Sequence, residues 1–152
     1  MDAVEIKISP NLERMMKELG DDIRSGGYSG MLNVVESVRA KAIPHTPHKT
    51  SNLVNAEQTE VSPNGDRGRV FVDDNAPYGI FVHEGTGLFG PEKKRIVPKH
   101  AKALRIPGVG FRRSTKGMKG VPFFAMALSE SDPGALYEEG MGNLLRSRGH
   151  IK

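Results

Sequence analysis

The chain has 152 residues, of which 37% are hydrophobic and 26% charged, and its 22 Lys and Arg against 18 Asp and Glu give a formal net charge of +4. It contains no cysteine, which excludes a disulfide framework, thiolate-bound zinc, iron-sulfur clusters and a cysteine nucleophile. A chain of this length suits a single domain, here predicted over residues 1–152, and no apolar run approaches the roughly 18 residues that span a bilayer. We therefore expect a protein made in the cytoplasm, with no membrane among its partners.

The N-terminal part of the chain predicts one short strand and then two helices. The stretch "VEIKI", Val4–Ile8, alternates and is rich in β-branched residues, which favours a strand. Ser9 and Pro10 supply an N-cap and a first-turn proline. Apolar residues then recur at the spacing of one helix face, at Leu12, Met15, Met16, Leu19 and Ile23. The glycines of "SGGYSG", Ser25–Gly30, predict an interruption, and a second helix is expected to end before Pro44.

The next segment predicts a loop followed by a β-hairpin. Residues 43–55 contain two prolines and several small polar residues, a composition typical of a loop. Residues 56–61 and 68–73 have strand character and flank the stretch "SPNGDR". Its Asn64-Gly65 step is a strong signal for a type I′ turn, in which both central residues have positive φ. Antiparallel sheet is therefore expected here.

Residues 78–84 fit two alternatives. Tyr78, Ile80 and Val82 alternate as in a strand, whereas the early Pro77 and the terminating Gly85 favour a short helix. We predict the helix.

The C-terminal half predicts further strands and then helix. Residues 95–99 and 102–107 have strand character around a turn, and residues 108–120, "GVGFRRSTKGMKG", favour an extended loop or hairpin. Helix is expected over residues 125–131 and 135–146, with a break at "DPG" between them. The predicted regions are thus helical at 9–43, sheet and basic loop at 56–124, and helical at 125–148.

Charge is distributed very unevenly along the chain. Between Glu92 and Gly120 there are ten Lys and Arg and one Glu, which leaves 12 basic and 17 acidic residues elsewhere. The rest of the chain is thus net negative and carries a strongly positive segment. Such a segment favours association with an acidic surface or a polyanion, although a solvated loop is the alternative. The ten cations are the candidate interaction residues: Lys93, Lys94, Arg95, Lys99, Lys102, Arg105, Arg112, Arg113, Lys116 and Lys119.

The adjacent His83 and Glu84 invite a metal or acid-base interpretation. A zinc-protease helix needs a second His four residues after the first, but Gly87 stands there, and His45 and His48 lie among prolines in a loop. The chain also lacks a Gly-x-Ser-x-Gly nucleophile elbow, and its glycine-rich stretch "GTGLFGP" is not followed by the Lys-Ser/Thr pair of a phosphate-binding loop. We therefore expect no catalytic residue, no metal and no cofactor.

A structural role is the alternative for the same stretch. Glu84 is expected to accept hydrogen bonds from backbone amides of the following glycine turn, and Gly85 and Gly87 to adopt φ values closed to other residues. On this interpretation Phe81, Val82, Glu84 and the two glycines form a packed corner of the fold, and the basic segment begins just after it.

The order of these features, from Val34 to Leu128, resembles that of phage head-tail joining, or tail-completion, proteins. The family order is a helix, a hairpin, a Tyr-to-Gly-Thr motif, a basic loop and a closing Pro-Phe motif. The residues of this chain that match it are Pro44, Leu53, Tyr78, Val82, Glu84, Gly85, Thr86, Pro122, Phe123, Ala127 and Leu128. The resemblance implies an α+β fold in which an antiparallel sheet is flanked by N-terminal and C-terminal helices, with a long basic loop. It also implies a subunit without enzymatic activity that forms a ring.

What the resemblance implies about partners is equally specific. The ring, expected as a hexamer, would lie in the neck of the virion, assembled in the host cytoplasm, between the portal-connector proteins and the tail tube or tail-terminator protein. We hypothesise in addition, from its charge, that the segment from Lys93 to Lys119 reaches an adjacent subunit or an acidic connector or tube surface rather than the DNA that passes through the lumen. The alternatives are a nucleic-acid-binding protein that uses residues 93–119, a hydrolase that uses His83 and Glu84, and a tail-terminator or minor capsid protein.

Overall fold

The computed structural model describes residues 10–49 and 51–152. Within them five helices occur, α1 (Pro10–Ala42), α2 (Asn52–Asn55), α3 (Gly79–Glu84), α4 (Phe123–Ser129) and α5 (Pro133–Ser147), with short 3-10 helices at Ile43–His45 and Gly87–Phe89. Two small antiparallel sheets pair β1 (Glu57–Val61) with β2 (Gly68–Val72) and β3 (Leu104–Ile106) with β4 (Gly110–Arg112). The described fold is mixed helix and sheet, compatible with the α+β prediction. The predicted strand at Val4–Ile8 and the cap at Ser9 lie outside the described residues.

Packing divides the chain into two compact units. Among the described residues, the first unit comprises 10–37, Glu60–Arg69 and Asp132–Lys152, and the second comprises the described parts of Val38–Thr59 and Val70–Ser131. The prediction of one domain over residues 1–152 stays a prediction. None of the helices in the described part of the chain combines the length and hydropathy needed to cross a bilayer.

In the first unit, α1 runs without interruption through Ser25–Gly30, so the predicted break there is wrong. The reason is close packing against α5. A Cβ added to Gly30 would lie 2.7 Å from the carbonyl oxygen of Tyr137, and one added to Gly140 would lie 2.7 Å from that of Ser29. Because a glycine within a helix costs only about 1 kcal/mol relative to alanine, α1 tolerates these residues and gains the close approach.

The hairpin between β1 and β2 also differs from the type I′ turn that we predicted. The amide of Ser62 donates to the carbonyl of Arg67 at 2.9 Å, and the amide of Gly65 donates to the carbonyl of Ser62 at 2.9 Å. Gly65 has a φ of 69°, whereas Asn64 is not among the described residues with positive φ. The Cβ of any other residue at Gly65 would lie 2.2 Å from the backbone carbon of Gly27. The turn is therefore longer than two residues, and packing as well as φ requires the glycine.

The second unit has a small core built around one aromatic ring. Phe123, at the start of α4, is the only large apolar side chain in the described residues that is fully buried, with 0% of its surface exposed. The ring of His83 meets it edge-on at a centroid distance of 5.0 Å, and the ring of Phe124 lies 4.6 Å away. The other buried apolar residues of this unit are Val38, Ala42, Leu53, Ala56, Ala76 and Ala127.

The remaining helix predictions are confirmed. Residues 79–84 form α3, and the C-terminal region forms α4 and α5 with a break between them, which lies at residues 130–132 rather than at "DPG" because Pro133 and Gly134 already belong to α5. Asp132 caps the N-terminus of α5, because its Oδ1 accepts a hydrogen bond of 3.1 Å from the amide of Ala135. Pro133 occupies the first position of α5, where its missing N–H leaves no helical bond unmade.

A carboxyl group is buried in the second unit beside a threonine. Glu57, the first residue of β1, is fully buried, and its Oε1 lies 2.5 Å from Oγ1 of Thr46. The same Oγ1 lies 3.0 Å from the carbonyl oxygen of Ala42, although a hydroxyl has only one proton to donate. A protonated Glu57 resolves this, because it can donate to Thr46 while Thr46 donates to Ala42.

The electrostatics of Glu57 agree with that arrangement. Burial raises the pKa of Glu57 above its ordinary value, and this outweighs the hydrogen bond that Thr46 would donate to an ionised carboxylate and the Coulombic effects of Arg39 and His48, which lower the pKa. Because the folded state then binds the proton more tightly than the unfolded state, the contribution of Glu57 to stability decreases as the pH rises.

We predict that Glu57→Gln changes the pH dependence of folding. In the parent protein, the unfolding free energy should fall as the pH rises from the unfolded pKa, near 4.5, through the raised pKa of the folded state. The glutamine of the variant has no proton to lose, so the unfolding free energy of the variant should rise relative to that of the parent as the pH increases toward neutral. Denaturant unfolding across that range measures the effect, with Glu139→Gln at an exposed site of α5 as control. Equal pH slopes for the Glu57 variant and the parent would contradict the prediction.

Candidate functional site

The Tyr78–Thr86 motif places a sharp turn directly after α3. The helix ends at Gly85, whose φ of 85° lies in the region that favours glycine, and whose amide donates to the carbonyl of Phe81 at 2.9 Å. Gly87 follows with a φ of 65°. The prediction that both glycines adopt φ values closed to other residues is confirmed.

This turn is joined by backbone hydrogen bonds to a segment about thirty residues later. The amide of Thr86 donates to the carbonyl of Met118 at 2.8 Å, and the amide of Leu88 donates to that of Lys116 at 2.8 Å. The amide of Met118 in turn donates to Oγ1 of Thr86 at 2.9 Å. We call this contact between residues 85–88 and 116–120 the glycine clasp.

The clasp depends on glycines on both of its sides. A Cβ added to Gly87 would lie 2.3 Å from the carbonyl oxygen of Lys116, and one added to Gly117 would lie 2.1 Å from that of Thr86. A Cβ on Gly120 would lie 2.5 Å from the backbone of Gly85. Side chains of any size would therefore separate the two segments, and Gly117 also has a φ of 88°.

The prediction that Glu84 accepts hydrogen bonds from the amides of the following turn is wrong. Its side chain is exposed and makes no hydrogen bond or ion pair within the described residues, because the amides of the turn are taken by the carbonyls of Phe81, Met118 and Lys116. Phe81, which we expected in a packed corner, is 56% exposed. The corner is held by backbone bonds and by the half-buried Val82, whose carbonyl accepts from the amide of Val121 at 2.9 Å.

The histidines do not converge. His83 packs against both Phe123 and Phe124, and its buried Nε2 has no hydrogen-bond partner within the described residues. His45 lies instead beside Glu130, with Nε2 2.8 Å from Oε1. Over residues 10–49 and 51–152, His, Asp and Glu side chains form no group of three or more that could hold a metal ion.

The glycine clasp closes the base of the segment that carries the ten cations, residues 93–119, which we call the basic arm. Ile96 and Thr115 bond to each other through both backbone amides, at 3.0 and 2.9 Å. Farther out, β3 pairs with β4 so that Arg105 faces Phe111. The strand predicted at residues 95–99 is only the single Ile96 bridge, since Pro98 has no amide to continue a ladder. The strand predicted at 102–107 contains β3, and 108–120 contains β4.

The basic arm has no core of its own. None of the residues from Pro91 to Pro122 is buried. None of the ten cations forms an ion pair with a carboxylate within the described residues, and the hydrogen bonds of their side chains go to neutral groups, such as Arg95 Nε to Ser114 Oγ at 3.1 Å. Backbone bonds, turns and a few hydrogen bonds to neutral side chains shape the arm, so its positive charges are available for contact with another molecule.

The other motif residues predicted from the sequence fall into two places. Phe123 is in the core, whereas Pro122 is exposed beside it. Tyr78 and Val82 line a depression of about 480 Å³ together with Leu53 and Lys119. The structure thus brings the Tyr78–Thr86 motif and the end of the arm together, and it leaves the cations between Lys93 and Arg113 away from that depression.

Sequence reasoning missed the second half of the clasp. Gly117, Met118 and Gly120 were assigned to an extended loop or hairpin, yet Met118 bonds to Thr86, and both glycines lie against the backbone of the Tyr78–Thr86 motif. Their signal was the spacing in "KGMKG", where two glycines bracket two residues, as Gly87 and Gly90 do in "GLFG". Both pairs mark segments whose backbones approach closely.

Comparison with known proteins assigns no family. No protein-family model matches the chain, and neither a curated protein nor a solved structure matches it. A functional proposal therefore rests on the geometry of the arm and its clasp and on the order of the sequence motifs.

Proposed function

We propose that this protein is a structural subunit of a phage neck, a head-tail joining or tail-completion protein that forms a ring linking the portal-connector to the tail tube. In this proposal the subunit has no catalytic role. Its basic arm, residues 93–119, contacts an adjacent subunit or an acidic surface of the connector or tube.

The observation that carries the proposal is the exposed basic arm. Ten cations share a segment in which no residue is buried and none is paired with a carboxylate among the described residues. Charges of one sign repel each other, so the arm's composition does not help the isolated chain to fold. It does suit a partner of opposite sign, for which charge complementarity sets orientation and association rate.

A second copy of the chain supplies such a partner. Outside residues 92–120 the chain has 17 acidic and 12 basic residues. A contact between unlike patches of two identical subunits can close into a ring by rotation. The opposite charges of arm and body therefore fit a ring.

DNA is a weaker candidate for the partner. Base-stacking platforms for single strands need several aromatic residues among the cations, but Phe111 is the one aromatic residue within residues 93–119. A channel through which a genome passes also gains nothing from many cations that hold phosphates, because each such contact adds affinity.

The test is reversal of charge on the arm. Arg112→Glu combined with Arg113→Glu, and a four-site variant that adds Lys116→Glu and Lys119→Glu, should fold normally, because these side chains are exposed. Both should fail to form the ring, as measured by the intact mass of the purified protein, and to join heads to tails. Lys17→Glu with Lys152→Glu, two exposed cations outside the arm, is the control and should assemble.

Two outcomes would count against the proposal. Normal assembly of the four-site variant would remove the role of the arm. Salt-dependent retention of duplex DNA by the parent protein, lost in the four-site variant while the oligomer persists, would favour a nucleic-acid-binding function.

A further inference from the structure

We infer that the uncharged end of the arm of one subunit inserts into a pocket beside α3 of a second copy. This inference rests on the proposed ring and identifies the two surfaces that meet. The inserting part is the apex of the β3–β4 hairpin, residues 107–111, "PGVGF".

The apex is apolar and surrounded by open space. Val109 is 53% and Phe111 69% exposed, and positions for a Cβ on Gly108 and Gly110 have no atom within 4 Å. The apex therefore does not rest on its own chain. Two large apolar side chains at the end of an otherwise cationic arm are typical of a contact made with another molecule.

The pocket is a matching unfilled surface. It has a volume of about 550 Å³, which is within the range of ligand-binding clefts, and it lies between α3 and residues 90–99. Its apolar side chains include Ile80 and Phe81, which are 55% and 56% exposed and so contribute little to the core. Ile96 and Val97 complete this apolar surface.

The charges that line the pocket favour an occupant without cations. Glu84 and Glu92 line the pocket and form no ion pair within the described residues, and Arg105 and Arg112 flank the apex. Lys94, Arg95 and Lys99 line the pocket as well. An inserting segment that itself carried cations would therefore meet like charges, whereas residues 107–111 carry no charge.

The occupant is a second copy because one chain carries both surfaces. Each subunit then offers one apex and receives another, which is the arrangement that closes a ring. Because the apex and the pocket are different surfaces, their contact is head-to-tail and differs from that of a symmetric dimer, in which two identical patches meet.

Disulfide crosslinking tests the inference directly, because the chain has no cysteine of its own. Val109→Cys combined with Val97→Cys should give, on mild oxidation, a ladder of covalent dimers, trimers and larger species that ends at the ring. Each single variant alone should stay largely monomeric on a non-reducing gel. A monomer with an internal disulfide, or dimers formed equally by a single variant, would overturn the inference.

A mixing experiment provides an independent check. Phe111→Asp alters the apex and Ile80→Asp alters the pocket, and both positions are exposed enough to leave the fold intact by circular dichroism. Each variant alone should associate about tenfold or more weakly, the equivalent of about 1.4 kcal/mol per contact. Mixed together they should form a one-to-one dimer, since one unaltered apex and one unaltered pocket remain. Absence of that dimer, or rings formed by either variant alone, would show that the apex and pocket do not meet.

The two proposals can fail separately. If the parent protein forms a ring by intact mass but the double variant with Val97→Cys and Val109→Cys does not crosslink, the ring stands and this contact is wrong. If the parent protein does not associate at all, the proposed function fails as well.

Discussion

Gly117→Ala is expected to release the basic arm from its base. The new Cβ would lie 2.1 Å from the carbonyl oxygen of Thr86, which is backbone and cannot rotate away. The residue would also be held at a φ of 88°, where a side chain costs about 1–2 kcal/mol. The clasp bonds made by Thr86, Leu88 and Met118 should therefore open, while the core around Phe123 stays folded.

Hydrogen exchange followed by mass spectrometry measures this release. In the variant, the amides of Thr86, Leu88 and Met118 should lose most of their protection, and the intact mass should show a loss of the oligomer. Gly108→Ala is the matched control, because it has a similar φ of 79° but no atom within 4 Å of the added Cβ. It carries the same backbone strain without the collision, so its clasp amides should stay protected. Equal protection in Gly117→Ala and the parent would show that the clasp does not hold the arm.

Local patterns in the sequence predicted the elements whose causes are local. The choice of helix over strand at residues 79–84 was confirmed, since Gly85 is a termination signal that acts within one turn. The break between α4 and α5 was confirmed for the same reason, because Asp132 and Pro133 act on their immediate neighbours. The concentration of charge in residues 92–120 likewise needed only counting.

Features with distant causes were not predictable. The glycines of Ser25–Gly30 looked like a helix break, yet the residues that explain them, Tyr137 and Gly140, come more than a hundred positions later. The burial of Glu57 depends on Thr46 and the end of α1, and nothing in the alternation of β1 distinguishes a buried carboxyl from an exposed one. Pattern reasoning assumes that glycine signals flexibility and that acids face water, and close packing overrides both assumptions.

In the candidate site, too, features with local causes were predicted and features with distant causes were not. The Tyr78–Thr86 motif and the cations of the arm were found separately, because each has a composition of its own. That Met118 bonds to Thr86 follows only from the fold. The exposure of Ile80 and Phe81 was missed because an apolar residue on a short helix is usually expected to face a core.

Phe123→Ala and Phe111→Ala remove the same atoms and should have opposite consequences. Phe123 is the one large apolar side chain fully buried within the described residues, and it supports His83 and Phe124. Its truncation leaves a cavity and should lower the unfolding free energy by about 3–5 kcal/mol, a large share of the roughly 5–15 kcal/mol typical of a domain. Phe111 is 69% exposed on the apex, so its truncation should change stability by no more than about 0.5 kcal/mol.

Denaturant unfolding and intact mass, measured on both variants, separate the two roles. Phe111→Ala should unfold like the parent but form fewer or smaller oligomers, because it loses the side chain that fills the neighbouring pocket. Phe123→Ala should unfold at a clearly lower denaturant concentration, and any loss of oligomer should follow from the unfolded fraction. If Phe111→Ala were as destabilising as Phe123→Ala, the apex would be packed within its own subunit, and the arm would be part of the fold rather than a contact between subunits.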